Sequence, residues 1–119
     1  MAMQGRRCSR RLLVQALYQL QLASHPVEEL LEQFIAHPDF SRADRDYFEL
    51  VLDQVMENMA CLDADIAASG DIPGAQLDPV ERAILWIAIA ELRFQADVPA
   101  KVVINEAINL AKEFGAELR

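Results

Sequence analysis

A chain of 119 residues makes one domain around a single core, and a composition 53% hydrophobic and 25% charged, with four glycines and five prolines, excludes a disordered protein. Its net charge of −8 repels phosphate, which excludes indiscriminate binding to nucleic acid and leaves room only for a local contact. Cys8 and Cys61 match no metal spacing and form no disulfide framework, and the longest apolar run, Ala83–Ala90, is too short to cross a bilayer. Idle thiols of this kind suit a reducing cytoplasm.

The first helix is predicted from about Arg6 to Ala23. Leu12, Leu13, Ala16, Leu17 and Leu20 gather on one arc and form its buried stripe. Arg6, Arg7, Arg10 and Arg11 fall within an adjoining arc of about 140°, at about 100° per residue, and Tyr18 projects from between Arg7 and Arg11. Residues 1–11 hold four of the eleven bases and none of the 19 acids. Cations at this end of a helix oppose its macrodipole, so the helix gains nothing from them locally and an external anion is the reason to keep them. The competing readings are a solvated basic terminus and, because no acid precedes Glu28, an organellar transit peptide.

His25-Pro26 interrupts the pattern, because the residue before a proline is pushed out of the helical region. A second helix follows from Val27 to Ala36, with Val27, Leu30, Leu31, Phe34 and Ile35 as its apolar set, and His37-Pro38 closes it. Ser41 reads as the next N-cap, with Asp44 three residues on. The third helix then runs from Arg42 to about Ala60, burying Phe48, Val51, Leu52, Val55, Met56 and Met59, with helical character continuing through Leu62 and Ile66. Ser69–Leu77 is the clearest loop. Asp78-Pro79-Val80-Glu81 is a strong helix start, and the fourth helix reaches Phe94, apolar nearly all round and therefore central. Val98-Pro99 opens the fifth, Ala100 to Phe114, with Val103, Ile104, Ala107, Ile108, Ala111 and Phe114 at helical spacing and Gly115 as its C-terminal cap. No segment reads as a strand. The expected fold is all-α, a bundle of about five helices in one domain over residues 1–119.

Catalytic signals are poor. Both histidines sit beside prolines at helix ends, no HExxH or other ligand spacing is present, and no glycine-rich loop follows a strand. Asp44/Asp46 and Asp63/Asp65 are paired carboxylates that read as solvated faces. The expectation is no enzyme, no metal and no cofactor. The basic face of the first helix is different. Arginine grips phosphate through paired donors, Tyr18 offers a ring on which a base can stack, and Gln15 can bond a base edge. Together these are what single-stranded RNA requires.

The stretch RRCSRRLLVQALYQLQL resembles the opening of the NusB family of bacterial transcription antitermination factors. Asp78–Leu92 (DPVERAILWIAIAEL) is similar to its central helix, and Asp97–Glu117 (DVPAKVVINEAINLAKEFGAE) to its most recognisable run. The resemblance covers essentially the whole chain. It implies two small helical bundles sharing one core, binding of boxA-type RNA, and a heterodimer with the small-subunit ribosomal protein that doubles as NusE, within the transcription elongation complex. Carried over by position, Arg6, Arg7, Arg10, Gln15 and Tyr18 would face RNA, joined by Lys101, and Glu81 would contact the ribosomal protein. Cys8 and Arg11 depart from the family pattern, moving one charge along the helix. Trp86 stands where the family is often basic, which would alter a surface. The Pro-aromatic pair usual before the central loop is missing around Ala68-Ser69. The chain also ends at Arg119, where the family pattern implies a D-x-x-[KR]-F-V-N-G-like segment and a sixth helix supplying part of the RNA and partner surfaces. Two other functions fit the same residues: a NusB-like RNA-targeting domain of an RNA cytosine methyltransferase, and a helical adaptor that forms a homodimer and hides its basic face.

Overall fold

A computed structural model describes residues 2–23, 26–70 and 76–117. They form α1 (Ala2–Leu22), α2 (Val27–Ile35), a 3-10 turn (Pro38–Arg42), α3 (Arg45–Ser69), α4 (Pro79–Phe94) and α5 (Ala100–Glu117). The all-α expectation holds: no strand occurs among the described residues. His25 and residues 71–75 of the expected loop lie outside them.

Two helices are central rather than one. α4 packs against α1, α3 and α5, as its apolar circumference requires, and α1 packs against α2, the 3-10 turn, α3 and α4. Leu12, Leu13, Val14, Ala16 and Leu17 of α1 are all buried, and near its start so are Cys8, Ser9 and Arg10. In α2, Leu30 and Phe34 face the core, while Ile35 stays exposed.

The third helix starts later than expected. His37 Nδ1 accepts from the Asp39 N–H at 3.0 Å, and Pro38 fixes the first turn of the 3-10 segment. That turn drops Phe40 edge-on against Phe48, 5.4 Å between ring centroids. The chain is extended at Ala43 and restarts at Asp44, whose Oδ1 accepts from Tyr47 N–H at 3.0 Å. Asp44, not Ser41, is the N-cap. α3 breaks at Asn58 (φ −122°, ψ 17°), where the side-chain Nδ2 donates to Gln54 O at 2.8 Å. Phe48, Val51, Leu52 and Val55 are buried before the break and Leu62 and Ile66 after it, but Met56 and Met59 are only half-buried.

α4 begins as its sequence demands, with Asp78 Oδ1 accepting from Val80 N–H at 2.8 Å. Trp86 alters no surface: it is buried, its Nε1 donates to Asp63 Oδ1 at 2.9 Å, and the Arg82 guanidinium lies 4.5 Å from its ring centroid. Asp63 also accepts from Arg82, and Asp65 takes both Arg93 Nε at 2.6 Å and Nη2 at 2.8 Å. The Asp63/Asp65 pair is therefore a clasp between α3 and α4, not a solvated face. α5 buries Val103, Glu106, Leu110 and Phe114, and leaves Ile104 and Ile108 about half exposed, against expectation. It also runs through Gly115, and no glycine among the described residues has positive φ. The left-handed turn by which a glycine commonly caps a helix is absent at Gly115.

Burial works to raise the Asp63 carboxyl, but the bonds from Arg82 and Trp86 outweigh it and hold the group below the usual carboxylate range. A depressed folded-state value contributes stability that is present above about pH 4 and is lost as pH falls through the folded value. Asp63→Asn is therefore expected to lower stability at neutral pH and to flatten its fall between about pH 4 and pH 2, as read by urea titration at each pH.

Candidate functional site

Glu91 is the least exposed charged residue among the described residues, only 1% exposed, one residue past the apolar run of α4. Its Oε1 accepts from Arg10 Nε at 2.9 Å and its Oε2 from Arg10 Nη2 at 2.7 Å, while the Tyr47 hydroxyl donates to Oε2 as well. Arg10 is 3% exposed, with its Cζ 5.5 Å from the Tyr47 ring centroid. Glu106, also buried, places Oε1 3.7 Å from Arg10 Nη1. Burial alone would lower the Arg10 pKa, but the bonds and charge of Glu91 more than reverse this and raise it. Burial first, then the bond to Glu91, pushes the Tyr47 phenol up.

Arg10 thus does not share the outward basic face expected of it. Leu13 and Leu17 follow it at the third and seventh positions, so Arg10 belongs to the apolar stripe itself. At about 100° per residue, Arg7, Tyr18, Arg11 and Gln15 stand about 60°, 80°, 100° and 140° round the helix from Arg10, on one outward row. That row spans roughly 16 Å at about 1.5 Å per residue.

The other three arginines also find acids inside the molecule. Arg6 Nη2 lies 3.4 Å from Asp97 Oδ2, with its Cζ 4.4 Å from the Tyr47 ring centroid. Arg7 Nε donates to Glu106 Oε1 at 2.9 Å. Arg11 Nε is 2.9 Å from Glu113 Oε1, an ion pair whose angle makes no hydrogen bond. The sequence offers no local reason to keep these cations; the tertiary fold supplies one, because acids of α5 and of the α4–α5 link balance each of them. They are not consumed by it. The Arg7 side chain remains 57% exposed, and those of Arg6 and Arg11 are 31% and 37% exposed.

Further along the row, Gln15 and Tyr18 are half-buried and line a depression of about 340 Å³ with Val14, Gln19, Val80 and Phe114. Glu81 follows Val80 and is exposed in the first turn of α4. Lys101 is exposed in the first turn of α5, four residues beyond the Asp97 that pairs with Arg6. The structure therefore sets a cationic end (Arg6, Arg7, Arg11) and an aromatic end (Gln15, Tyr18) on one helix, and takes Arg10 out of both. Sequence reasoning missed Glu91, Glu106 and Tyr47. The signal for the two acids was there: each stands at a core position in the apolar spacing of its helix, and a buried acid needs a cation. No group of side chains able to hold a metal ion occurs among the described residues.

The NusB family model matches residues 7–118. Transcription antitermination protein NusB of Mannheimia succiniciproducens is 45% identical over 112 residues, 94% of this chain and 78% of that protein. Proteins of the same name from Alcanivorax borkumensis and Haemophilus influenzae are 46% and 43% identical over 113 residues, 95% of this chain and 75% and 78% of theirs. The chain belongs to the NusB family.

Removing Arg10 would leave Glu91 and Tyr47 buried without a cation. Arg10→Met is expected to destabilise the fold by about 3–5 kcal/mol, because a broken buried pair leaves an uncompensated charge. The triple variant Arg10→Met/Glu91→Leu/Tyr47→Phe, which removes the buried triad and leaves Glu106 its pair with Arg7, is expected to recover most of that loss. Urea titration of the two variants beside the parent measures both effects.

Proposed function

We propose that this chain is a transcription antitermination factor that holds single-stranded RNA along the outward row of α1 and performs no catalysis. One observation carries the reading. In a protein of net charge −8, the 21 residues of α1 contain no acid, and their exposed side combines arginines at one end with a glutamine and a tyrosine at the other. Arg6 and Arg7 hold phosphates, with Lys101 beside them. Gln15 bonds a base edge and Tyr18 stacks on a base. Arg10 acts through the fold, fixing the direction of its neighbours, and makes no RNA contact of its own.

The chemistry of the row is an exchange of anions. RNA phosphates replace Asp97 as the partner of Arg6, an exposed and therefore weak pair, and compete with Glu106 for Arg7, whose guanidinium is exposed although that carboxylate is buried. Binding is then local, as the repulsive net charge demands, and steeply dependent on salt. The family resemblance supplies the finer reading. The RNA is of boxA type, the partner is the small-subunit ribosomal protein that serves as NusE, and the pair acts on the transcription elongation complex. Glu81 suits the partner contact because it is exposed at the start of α4, where Asp78 already caps the helix.

Arg6→Ala/Arg7→Ala is expected to leave the helical circular dichroism unchanged and to flatten the slope of log affinity against log salt by about 1.4, at about 0.7 for each single-strand phosphate contact. An unchanged slope would mean that the row is a solvated surface. Tyr18→Phe is expected to be mild, and Tyr18→Ala to cost about 1–3 kcal/mol of RNA affinity.

For the partner, Glu81→Lys is expected to weaken binding of the ribosomal protein at least tenfold, or about 1.4 kcal/mol, without weakening RNA bound by the chain alone. Isothermal titration with each ligand checks this.

A further inference from the structure

A cationic depression borders the arginine row where α1 meets the 3-10 turn. It has a volume of about 570 Å³, and Arg7, Arg11, Ser41 and Arg42 line it together with Gln4 and Cys8. No acid and no aromatic ring is among its lining residues. The contact between α1 and the 3-10 turn beside it is tied by hydrogen bonds rather than by side-chain packing alone. The Asp44 N–H donates to Gly5 O at 3.0 Å, Ser9 Oγ donates to Asp44 O at 2.7 Å, and Cys8 Sγ donates to Asp39 O at 3.4 Å. A Cβ at Gly5 would stand 3.4 Å from both the N and Cβ of Asp44, so the two segments meet almost backbone to backbone.

We infer that this depression seats a phosphodiester of the RNA beyond the α1 row, gripped by Arg11 and Arg42 with a hydrogen bond from Ser41. The inference rests on the RNA-binding reading above and extends it to a second element of the fold. Three arginines from two elements border the depression, Arg11 reaching into it once it leaves its half-exposed pair with Glu113, and together they suit a tetrahedral anion with several acceptor oxygens, which arginine engages through paired donors. The absence of a ring says which part of the nucleotide sits there: backbone, since nothing offers a base a face to stack on. Arg42 pairs with Asp39 at 2.9 Å, but its side chain is 73% exposed, and an exposed pair of this kind yields readily to a polyanion. Ser41 acquires a role that its failure as a helix cap left open. The RNA then crosses α1, with base contacts at Tyr18 and backbone contacts at the 3-10 turn.

The test measures binding of single-stranded RNAs of about six and about twelve nucleotides, lengths within the range of single-strand sites, by fluorescence anisotropy at several salt concentrations. The proteins are the parent, Ser41→Ala/Arg42→Ala, and Arg93→Ala as a control that removes one charge from the last turn of α4, where Arg93 faces Asp65 of α3. The double variant is expected to bind the longer RNA three- to tenfold more weakly, with the salt slope flattened by about 0.7, and to bind the shorter one as the parent does. Arg93→Ala is expected to match the parent on both. Parent-like binding of the longer RNA by the double variant would overturn the second seat and leave the α1 reading standing. Equal weakening on both lengths, or equal weakening by Arg93→Ala, would overturn it in favour of the shared row or of a general field effect. A parent that binds neither RNA would overturn both readings.

Discussion

A carboxylate buried to the depth of Glu91 costs several kcal/mol in desolvation unless a cation and further donors meet it, and only one arrangement of this fold does so. Arg10 must come from α1 and Tyr47 from α3, both aimed at the same two oxygens of an α4 residue. That requirement sets the rotation of α1 about its own axis as well as its distance from α3 and α4. Once Arg10 points inward, helical geometry leaves no choice for the rest. Arg7, Arg11, Gln15 and Tyr18 all fall on one flank turned toward solvent, and Arg6 swings toward Tyr47 and Asp97. The buried pair adds little net stability compared with an apolar core, and its worth lies in fixing one orientation of the outward row.

The same geometry explains how an acidic protein keeps a basic surface without collapsing the charge onto itself at random. Each arginine of α1 has a designated acid: Asp97 for Arg6, Glu106 for Arg7, Glu91 for Arg10 and Glu113 for Arg11. The four pairs grade from buried to exposed. Arg10–Glu91 is sealed, Arg7–Glu106 joins an exposed guanidinium to a buried carboxylate, and the pairs of Arg6 and Arg11 are open to solvent and exchangeable. Glu106 sits between the two regimes, since it touches both Arg7 and Arg10 and is held by Asn109 at 3.3 Å. A phosphate arriving at Arg7 therefore releases a carboxylate that still has Arg10 beside it. This makes the exchange less costly than stripping a lone buried acid of its partner.

Much of this was legible in the sequence, for local reasons. Helices announce themselves through apolar spacing and their ends through caps, so α4 begins at Asp78-Pro79 as expected, and the acid-free character of α1 needs no structure to see. What failed were inferences that depend on a neighbour. Ser41 and Asp44 are both reasonable caps, and the choice was made by Phe40, which needs the 3-10 turn to reach Phe48. Trp86 resembled a surface substitution until Asp63 and Arg82 closed over it. Gly115 looked like a stop, but nothing requires the chain to turn there. Arg10 is the instructive case. Its phase relative to Leu13 and Leu17 placed it in the stripe from the start, and its charge argued it out again. The missing partner was Glu91, an acid 81 residues away whose carboxylate makes a buried arginine favourable where a lone one would not be.

The division of labour among the arginines is the central claim, and the side-chain Nε–Hε resonances report it directly. Titration of isotope-labelled protein with a single-stranded boxA-type RNA should shift the signals of Arg6, Arg7 and Arg11 as phosphates replace their acids. The Arg10 signal should stay where Glu91 holds it. Movement of Arg10 in step with the others, or no movement of any, would contradict the account.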